Sequence, residues 1–369
     1  MKKTAVIMAG GFGERFWPLS RMKRPKQVLN LTSPEKNMMQ EAIDRIRGLI
    51  APEDIFVITS KLLLEPIRMS LPELPPQNII AEPAKRNTAP CLALASAVIK
   101  ARYSEITADN ILTAVLTADH KIEPKENFNE IINEVFGFVA SNDVLATIGI
   151  NPTRPETGYG YIEVGKDLSG RIRKVKSFRE KPDLESAQKF VKSGNFFWNS
   201  GMFFWKLSTF DSEMILNCPE IGNYISELTK LYSNYNSEAL NSFNSPAEEL
   251  FSSLPSISID YALMEKSANV VCIKSDFNWD DVGAWDSLER VREKDENSNI
   301  LTGNNLLIDS NNCIIINDNS TIQKVTGIGI ENLIIINTGD SIMICPKDRA
   351  QDVKLIVNEL RNNNEIELL

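Results

Sequence analysis

Residues 5–31 read AVIMAGGFGERFWPLSRMKRPKQVLNL. A short apolar strand, Ala5 to Met8, runs straight into glycines at 10, 11 and 13. Five cationic side chains follow closely: Arg15, Arg21, Lys23, Arg24 and Lys26. Glycines let a backbone approach a bulky anion and turn its N–H groups toward it. Nearby cations then neutralise the charge, so the stretch predicts a cradle for a polyanion such as a triphosphate. Two common nucleotide motifs do not fit. The Walker loop requires Gly-x-x-x-x-Gly-Lys-Ser/Thr, which is missing, and the third glycine of the dinucleotide fingerprint is replaced by Phe16.

Outward from this loop, the first part of the chain alternates between two periodicities. Strands are expected at Thr4–Met8, Asp54–Thr59, Asn78–Ala81 and Asn110–Leu116, with helices between them at Met38–Leu49 and Pro90–Tyr103. Such alternation predicts an α/β fold, a Rossmann-like mixed sheet covered by helices. Ligands in such sheets bind beyond the carboxyl ends of the strands. Gly10–Gly13 and Asp119 both fall there, which predicts one shared site. From 147 to 205 the pattern turns to aromatic-rich β-structure, and 210–250 reads as helical and polar with a Ser/Asn-rich section at 233–246. Another strand is expected at Val270–Ile273. After about 295, short Ile-rich runs alternate with Asn, Asp and Gly, predicting a small C-terminal β domain closed by a helix at Ala350–Asn362. The division expected is 1–292 and 293–369.

Composition bounds the function. The chain has 369 residues, 43% apolar and 24% charged, as in an ordinary globular protein. A net charge of −9 argues against a nucleic-acid binder, and no run is long enough to span a bilayer. The five cysteines are odd in number and lack Cys-x-x-Cys spacing, which argues against a disulfide framework or zinc knot. With no apolar leader at the N-terminus, a reducing cytoplasmic location is expected.

Two acidic positions follow strand-like segments far apart in sequence: Asp119 in Thr117-Ala118-Asp119-His120, and Asp281 in Trp279-Asp280-Asp281-Val282-Gly283-Ala284-Trp285. Magnesium in nucleotide sites is held by one or two carboxylates plus phosphate oxygens, so this pair is a candidate Mg2+ site. The bland alternative for Asp281 is an N-cap on a helix expected at Trp285–Glu293. Another block, Glu82-Pro83-Ala84-Lys85-Arg86-Asn87-Thr88-Ala89-Pro90, reads locally as the start of a helix capped by Asn87 or Thr88. His120 is the sole histidine and is assigned no proton-transfer role.

The pattern Gly-Gly-x-Gly-x-Arg, Pro-Leu-Ser, Pro-Lys resembles the sugar nucleotidyltransferases, and its Phe-Trp-Pro-Leu-Ser-Arg wording is most similar to the mannose-1-phosphate guanylyltransferase (GDP-mannose pyrophosphorylase) branch. The resemblance covers roughly 1–290, with several motifs in the family's order. It implies transfer of GMP from GTP to mannose 1-phosphate, with Mg2+ as cofactor. Gly10, Gly11, Gly13, Glu82, Arg86, Asn87 and Thr88 would bind the nucleotide, Glu82 accepting from the guanine edge. Arg15 would meet the β and γ phosphates, Lys26 the α-phosphoryl group, and Asp119 and Asp281 the metal. Thr157–Ile162, Phe178–Pro182, Asn199–Phe203 and Ser258–Tyr261 resemble the sugar-phosphate half, naming Gly158, Glu180, Lys181, Asn199 and Asp260. The resemblance also implies a left-handed β-helix-like tail that can pair subunits, hence a homodimer. Some relatives carry a fused isomerase domain rich in histidine ligands; with no histidine beyond 120, a single activity is expected.

Overall fold

The computed structural model describes residues 1–232, 246–318 and 323–369; most of the Ser/Asn-rich section at 233–246 lies outside them. Eleven strands build the first part: β1 (Lys2–Ala9), β2 (Ile55–Ser60), β3 (Ile79–Glu82), β4 (Ile111–Thr117), β5 (Lys121–Glu123), β6 (Leu145–Ile150), β7 (Gly160–Ser169), β8 (Ile172–Glu180), β9 (Phe196–Lys206), β10 (Val270–Lys274) and β11 (Asn278–Asp280). Nine of them form one sheet in the order β3-β2-β1-β4-β9-β6-β10-β8-β7. The first four are parallel, and β9 enters antiparallel between β4 and β6. The sheet is therefore mixed, as the alternating pattern predicts.

Near-continuous apolar runs such as Ala5-Val6-Ile7 are buried on both faces, because helices cover both. One core packs helix Lys125–Ser141 and Met38–Ile46 on one face, and the other packs helices Thr88–Arg102 and Pro219–Leu231 on the opposite face. Thr88–Arg102 is Ala-rich and buried nearly all round, with Asn87 Oδ1 accepting the Thr88 N–H at its start.

β5 and β11 leave the main sheet and form a separate antiparallel ribbon in which Lys121 faces Asp280 and Ile122 faces Trp279. This ribbon has no signature in the sequence, because each strand is only three residues long.

The C-terminal part stacks short strands: β12 (Ile300–Thr302), β13 (Asn305–Ile308), β14 (Ile314–Asn317), β15 (Val325–Ile328), β16 (Leu333–Asn337) and β17 (Ile342–Pro346). β12, β14 and β16 run parallel in one sheet, β13 and β15 in another, which is a β-helix-like stack. Helix Val353–Asn362 closes it. A third core joins this stack to the N-terminal loop, with Phe16, Trp17, Leu29, Val282 and Trp285 packed among Ile300, Ile314, Ile334 and Val357. Among the described residues, no helix is long and apolar enough to cross a membrane.

Candidate active site

β1 ends at Ala9, and the glycine loop leaves it at the carboxyl edge of the sheet. The three glycines differ in what demands them. At Gly13 φ is +68°, and an added Cβ would stand 2.4 Å from Lys26 Cβ, so only glycine fits. At Gly10 and Gly11 the nearest atoms to an added Cβ are Glu82 Oε2 at 3.8 Å and Gln27 Nε2 at 3.7 Å. Protein packing does not require glycine there, so the space they leave is available to a ligand.

That space is a cavity of about 520 Å³ lined by Gly10, Gly11, Glu82, Asn87, Thr88 and Asp119, among others. Burial pushes the Glu82 carboxyl up to about 7, against the opposing influence of the Cys91 thiol and the Lys85 charge. Arg86 does not join this cavity: its guanidinium donates to the Ser252 carbonyl. Thr88 lines the cavity but also accepts the Ile259 N–H at 2.8 Å, tying the helix start to the segment before Asp260.

A second cavity, about 340 Å³, is lined by Arg15, Gly158, Tyr159, Lys181, Asp281 and Asp286 among others. The structure parts Arg15 from the glycine cradle, placing its Nη1 3.4 Å from the Gly283 carbonyl on the Asp281 side. Glu180, Asn199 and Asp260 come together nearby: Asn199 Nδ2 donates to Asp260 Oδ1 at 2.9 Å, and Glu180 and Asn199 both crowd Gly160. Burial raises the Asp260 carboxyl, and Glu180 adds to the shift. Lys181, with φ of 43°, pairs with Glu180 at 3.2 Å and lines the second cavity.

Lys26 stands where the two cavities approach each other. It is almost fully buried, and its Nζ donates to Asp119 Oδ2 at 2.9 Å and to the Asp281 carbonyl at 2.8 Å. The β5–β11 ribbon explains the convergence. Lys121 pairs with Asp280, so Asp119 just before β5 and Asp281 just after β11 emerge at the same end. Burial works to raise Asp119, but the Lys26 charge and its hydrogen bond outweigh it and hold this carboxyl below the usual range. Burial raises Asp281, opposed by a 2.5 Å hydrogen bond from the Tyr159 hydroxyl and by Lys26, and the Asp119 charge adds to the rise.

Asp281 does not cap a helix. The turn at Trp285–Ser287 starts from Ala284 without a side-chain cap, and the helix that follows spans only Leu288–Val291. Asp280 is committed elsewhere, to the Val282 N–H and the Arg290 guanidinium, so of the two adjacent aspartates it is Asp281 that lines the cavity. His120 is held neutral, its pKa lowered to about 4 by burial, and its Nδ1 accepts from Trp279 Nε1 at 3.0 Å. Tyr159, Asp280 and Arg290 were not named as site residues from sequence. Tyr159 lies inside the Thr157–Ile162 block and Asp280 inside the Trp279–Trp285 block; Arg290 carried no signal.

Three of the five loop cations have other places than a phosphate cradle. Arg21 donates to Asp340 Oδ1 at 2.7 Å and to the Leu368 carbonyl; Arg24 donates to Asp318 Oδ2 at 2.6 Å. These two fasten the loop to the C-terminal stack, and Arg15 faces the second cavity. An excess of positive charge in sequence did not distinguish these partners. All five cysteines are free, four of them buried, as small core residues would be.

Residues 4–298 match the model of the nucleotidyl transferase family, and residues 303–360 match that of the mannoseP isomerase/GMP-like beta-helix domain. A mannose-1-phosphate guanylyltransferase of Klebsiella pneumoniae is 39% identical across 98% of this chain and 74% of its own. One from Escherichia coli has the same identity and coverage. A crystal structure from Thermus thermophilus, described as a "mannose-1-phosphate geranyltransferase", superposes with a TM-score of 0.85 at 30% identity, covering 98% of this chain and 100% of that one.

Proposed function

The chain belongs to the nucleotidyl transferase family, and on that premise we propose that it is a mannose-1-phosphate guanylyltransferase, joining GTP and mannose 1-phosphate into GDP-mannose and pyrophosphate. One observation carries the assignment of the site. A cavity with a glycine cradle and a second one lined by Arg15, Gly158, Lys181 and Asp281 flank a single buried lysine, which is bonded to the Asp119 carboxylate and the Asp281 carbonyl.

The acceptor is a phosphate monoester, already ionised at neutral pH, so no general base is required. Its oxygen attacks the α-phosphorus of GTP in line, and pyrophosphate leaves. Catalysis then consists of positioning and charge stabilisation. Gly10 and Gly11 admit the phosphates against their N–H groups. Glu82, which lines the same cavity, accepts from the guanine edge when ionised. Glu180, Asn199 and Asp260 hold sugar hydroxyls, and Gly158 lets the ring approach the backbone. Lys181 and Arg15 meet the acceptor phosphate from the second cavity. Lys26 faces the α-phosphoryl group from between the aspartates. Arg86 is assigned to the fold of the helix start.

Enzymes of this family generally use a divalent metal, and we assign magnesium. The donor set fits it: Asp119 and Asp281 supply hard oxygen ligands from the end of one ribbon, and substrate phosphates complete such a site. Among the described residues no three His, Cys, Asp or Glu side chains are grouped so that they could hold a metal ion by themselves, so an all-protein cage is not what this site offers. Held by Asp119 and Asp281, such an ion would supply positive charge to offset that of the two phosphate-bearing substrates.

The test is pyrophosphate release from each of the four nucleoside triphosphates with a panel of hexose 1-phosphates. GTP with mannose 1-phosphate should turn over fastest. A clear preference for dTTP or UTP with glucose 1-phosphate would overturn the assignment, and tight GTP binding without turnover would mark a non-catalytic sensor.

A further inference from the structure

Val282, the residue after Asp281, is fully buried with φ at +46°. A β-branched side chain avoids the left-handed region, because its two Cβ substituents crowd the backbone. Such a conformation persists only where its surroundings over-determine it, and it clusters at functional sites. The surroundings are visible. Asp280, 6% exposed, accepts the Val282 backbone N–H through Oδ1 at 2.8 Å. Arg290 grips the same carboxylate with two nitrogens, Nε on Oδ2 and Nη2 on Oδ1 at 3.2 Å. The Val282 side chain is locked into the third core beside Phe16, Trp17 and Trp285.

We propose that Arg290 and Asp280 are positioning residues: they clamp Val282 in its left-handed turn, and that turn aims Asp281 at the metal and its carbonyl at Lys26. This rests on Asp281 being a metal ligand. The turn sets two directions at once. The Asp281 carbonyl meets Lys26 Nζ at 2.8 Å, while its carboxylate lies toward the second cavity with Tyr159 on Oδ1. A relaxed Val282 would rotate the peptide between 281 and 282 and lose both. Asp280 does not line the second cavity; Arg290 does, so the glycine background below separates any direct effect of its charge from the clamp, which passes through the backbone.

The test titrates Mn2+ alone into the full chain and reads free Mn2+ by electron paramagnetic resonance, beside steady-state kinetics. Asp281→Asn serves as the benchmark. Arg290→Gln should weaken Mn2+ by about tenfold, the low end for residues that orient ligands, and lower kcat with little change in the KM for GTP. Glycine takes a positive φ without a clamp. On a Val282→Gly background, Arg290→Gln should therefore cost less than about twofold, even though the smaller side chain lowers thermal stability. Asp280→Asn, which leaves the guanidinium partly unpaired, is followed by thermal melting; if it fails to fold, the Arg290 pair of titrations decides alone. Equal loss on the valine and glycine backgrounds would overturn the clamp, showing that Arg290 acts through its charge. So would an Arg290→Gln protein that binds Mn2+ normally while Asp281→Asn does not. Normal Mn2+ binding by Asp281→Asn would instead overturn the metal assignment beneath it.

Discussion

In the proposed reaction Lys26 faces the α-phosphoryl group. A nearly buried ammonium held by one carboxylate and one carbonyl is fixed in place before substrate arrives, so little reorganisation is needed when charge develops on the α-phosphoryl group. Lys26→Met should lower kcat by about 10²–10³, the usual range for losing one such stabilising group, while thermal melting still shows a folded protein; a near-normal rate of pyrophosphate release would remove Lys26 from the scheme. Glu82 gives a pH signature. Burial raises its carboxyl to about 7, so near neutrality a large fraction is protonated and cannot accept two donors from guanine. Proton and base compete for the same oxygens, so the KM for GTP should fall as pH rises from 6 to 8, by up to about tenfold per unit below the pKa. Glu82→Gln should raise KM and flatten this dependence beyond what GTP's own ionisation leaves. A wild-type profile identical to the variant's would take Glu82 away from the base. The strand-like runs before Asp119 and Asp281 placed both at the mouth of the sheet, where α/β folds hold ligands; Glu82 read locally as part of a helix start and came to the nucleotide only through the family resemblance. Tyr159 and Arg290 were not legible, since their partners are set by a ribbon of three-residue strands too short to read.

Among elements, the glycine loop separates two kinds of glycine that the sequence presents alike. Gly13→Ala should destabilise the fold by at least about 1 kcal/mol, because its φ is +68° and the new Cβ would collide with Lys26. It should also lower kcat, as Lys26 must move to make room. Gly11→Ala meets nothing closer than 3.7 Å, so its melting temperature should hold while the KM for GTP rises. Thermal melts with steady-state kinetics on both variants check this; matching behaviour would mean the loop's glycines share one role. The C-terminal stack was legible only as short Ile-rich runs. Its repeat is hidden because side chains pair twenty residues apart, as Asn312 with Asn332 and Asn317 with Asn337 do, beyond any local window. The periodicity that exposes a single helix or strand cannot report a stack whose rungs are joined by irregular corners.

For the molecule as a whole, the boundary expected near 292 does not interrupt the packing, since one core takes residues from both sides of it. The cradle loop is built into the C-terminal part: the Trp17 indole donates to the Leu368 carbonyl at 2.8 Å, the Met22 N–H donates to the Leu369 carbonyl at 2.8 Å, and Arg361 pairs with Glu14 at 2.7 Å. The stack thus acts as the back wall of the nucleotide loop, and the loop's arginines are the fastenings. Reading five cations as a phosphate cradle was natural, since composition reports how much charge is present and not which acid it faces. The two accounts differ measurably at Arg24, whose side chain has Asp318 as its hydrogen-bonded partner among the described residues. That pair is half-exposed, and such pairs contribute only about 0–1 kcal/mol. Arg24→Asp should therefore leave the KM for GTP within about threefold, with a small drop in melting temperature that Asp318→Arg restores. An arginine that touched the triphosphate would behave otherwise. Reversing its charge beside a polyanion would raise the KM for GTP far more than tenfold, and Asp318→Arg would bring none of it back, in which case the loop's basic character serves the nucleotide and the wall is incidental.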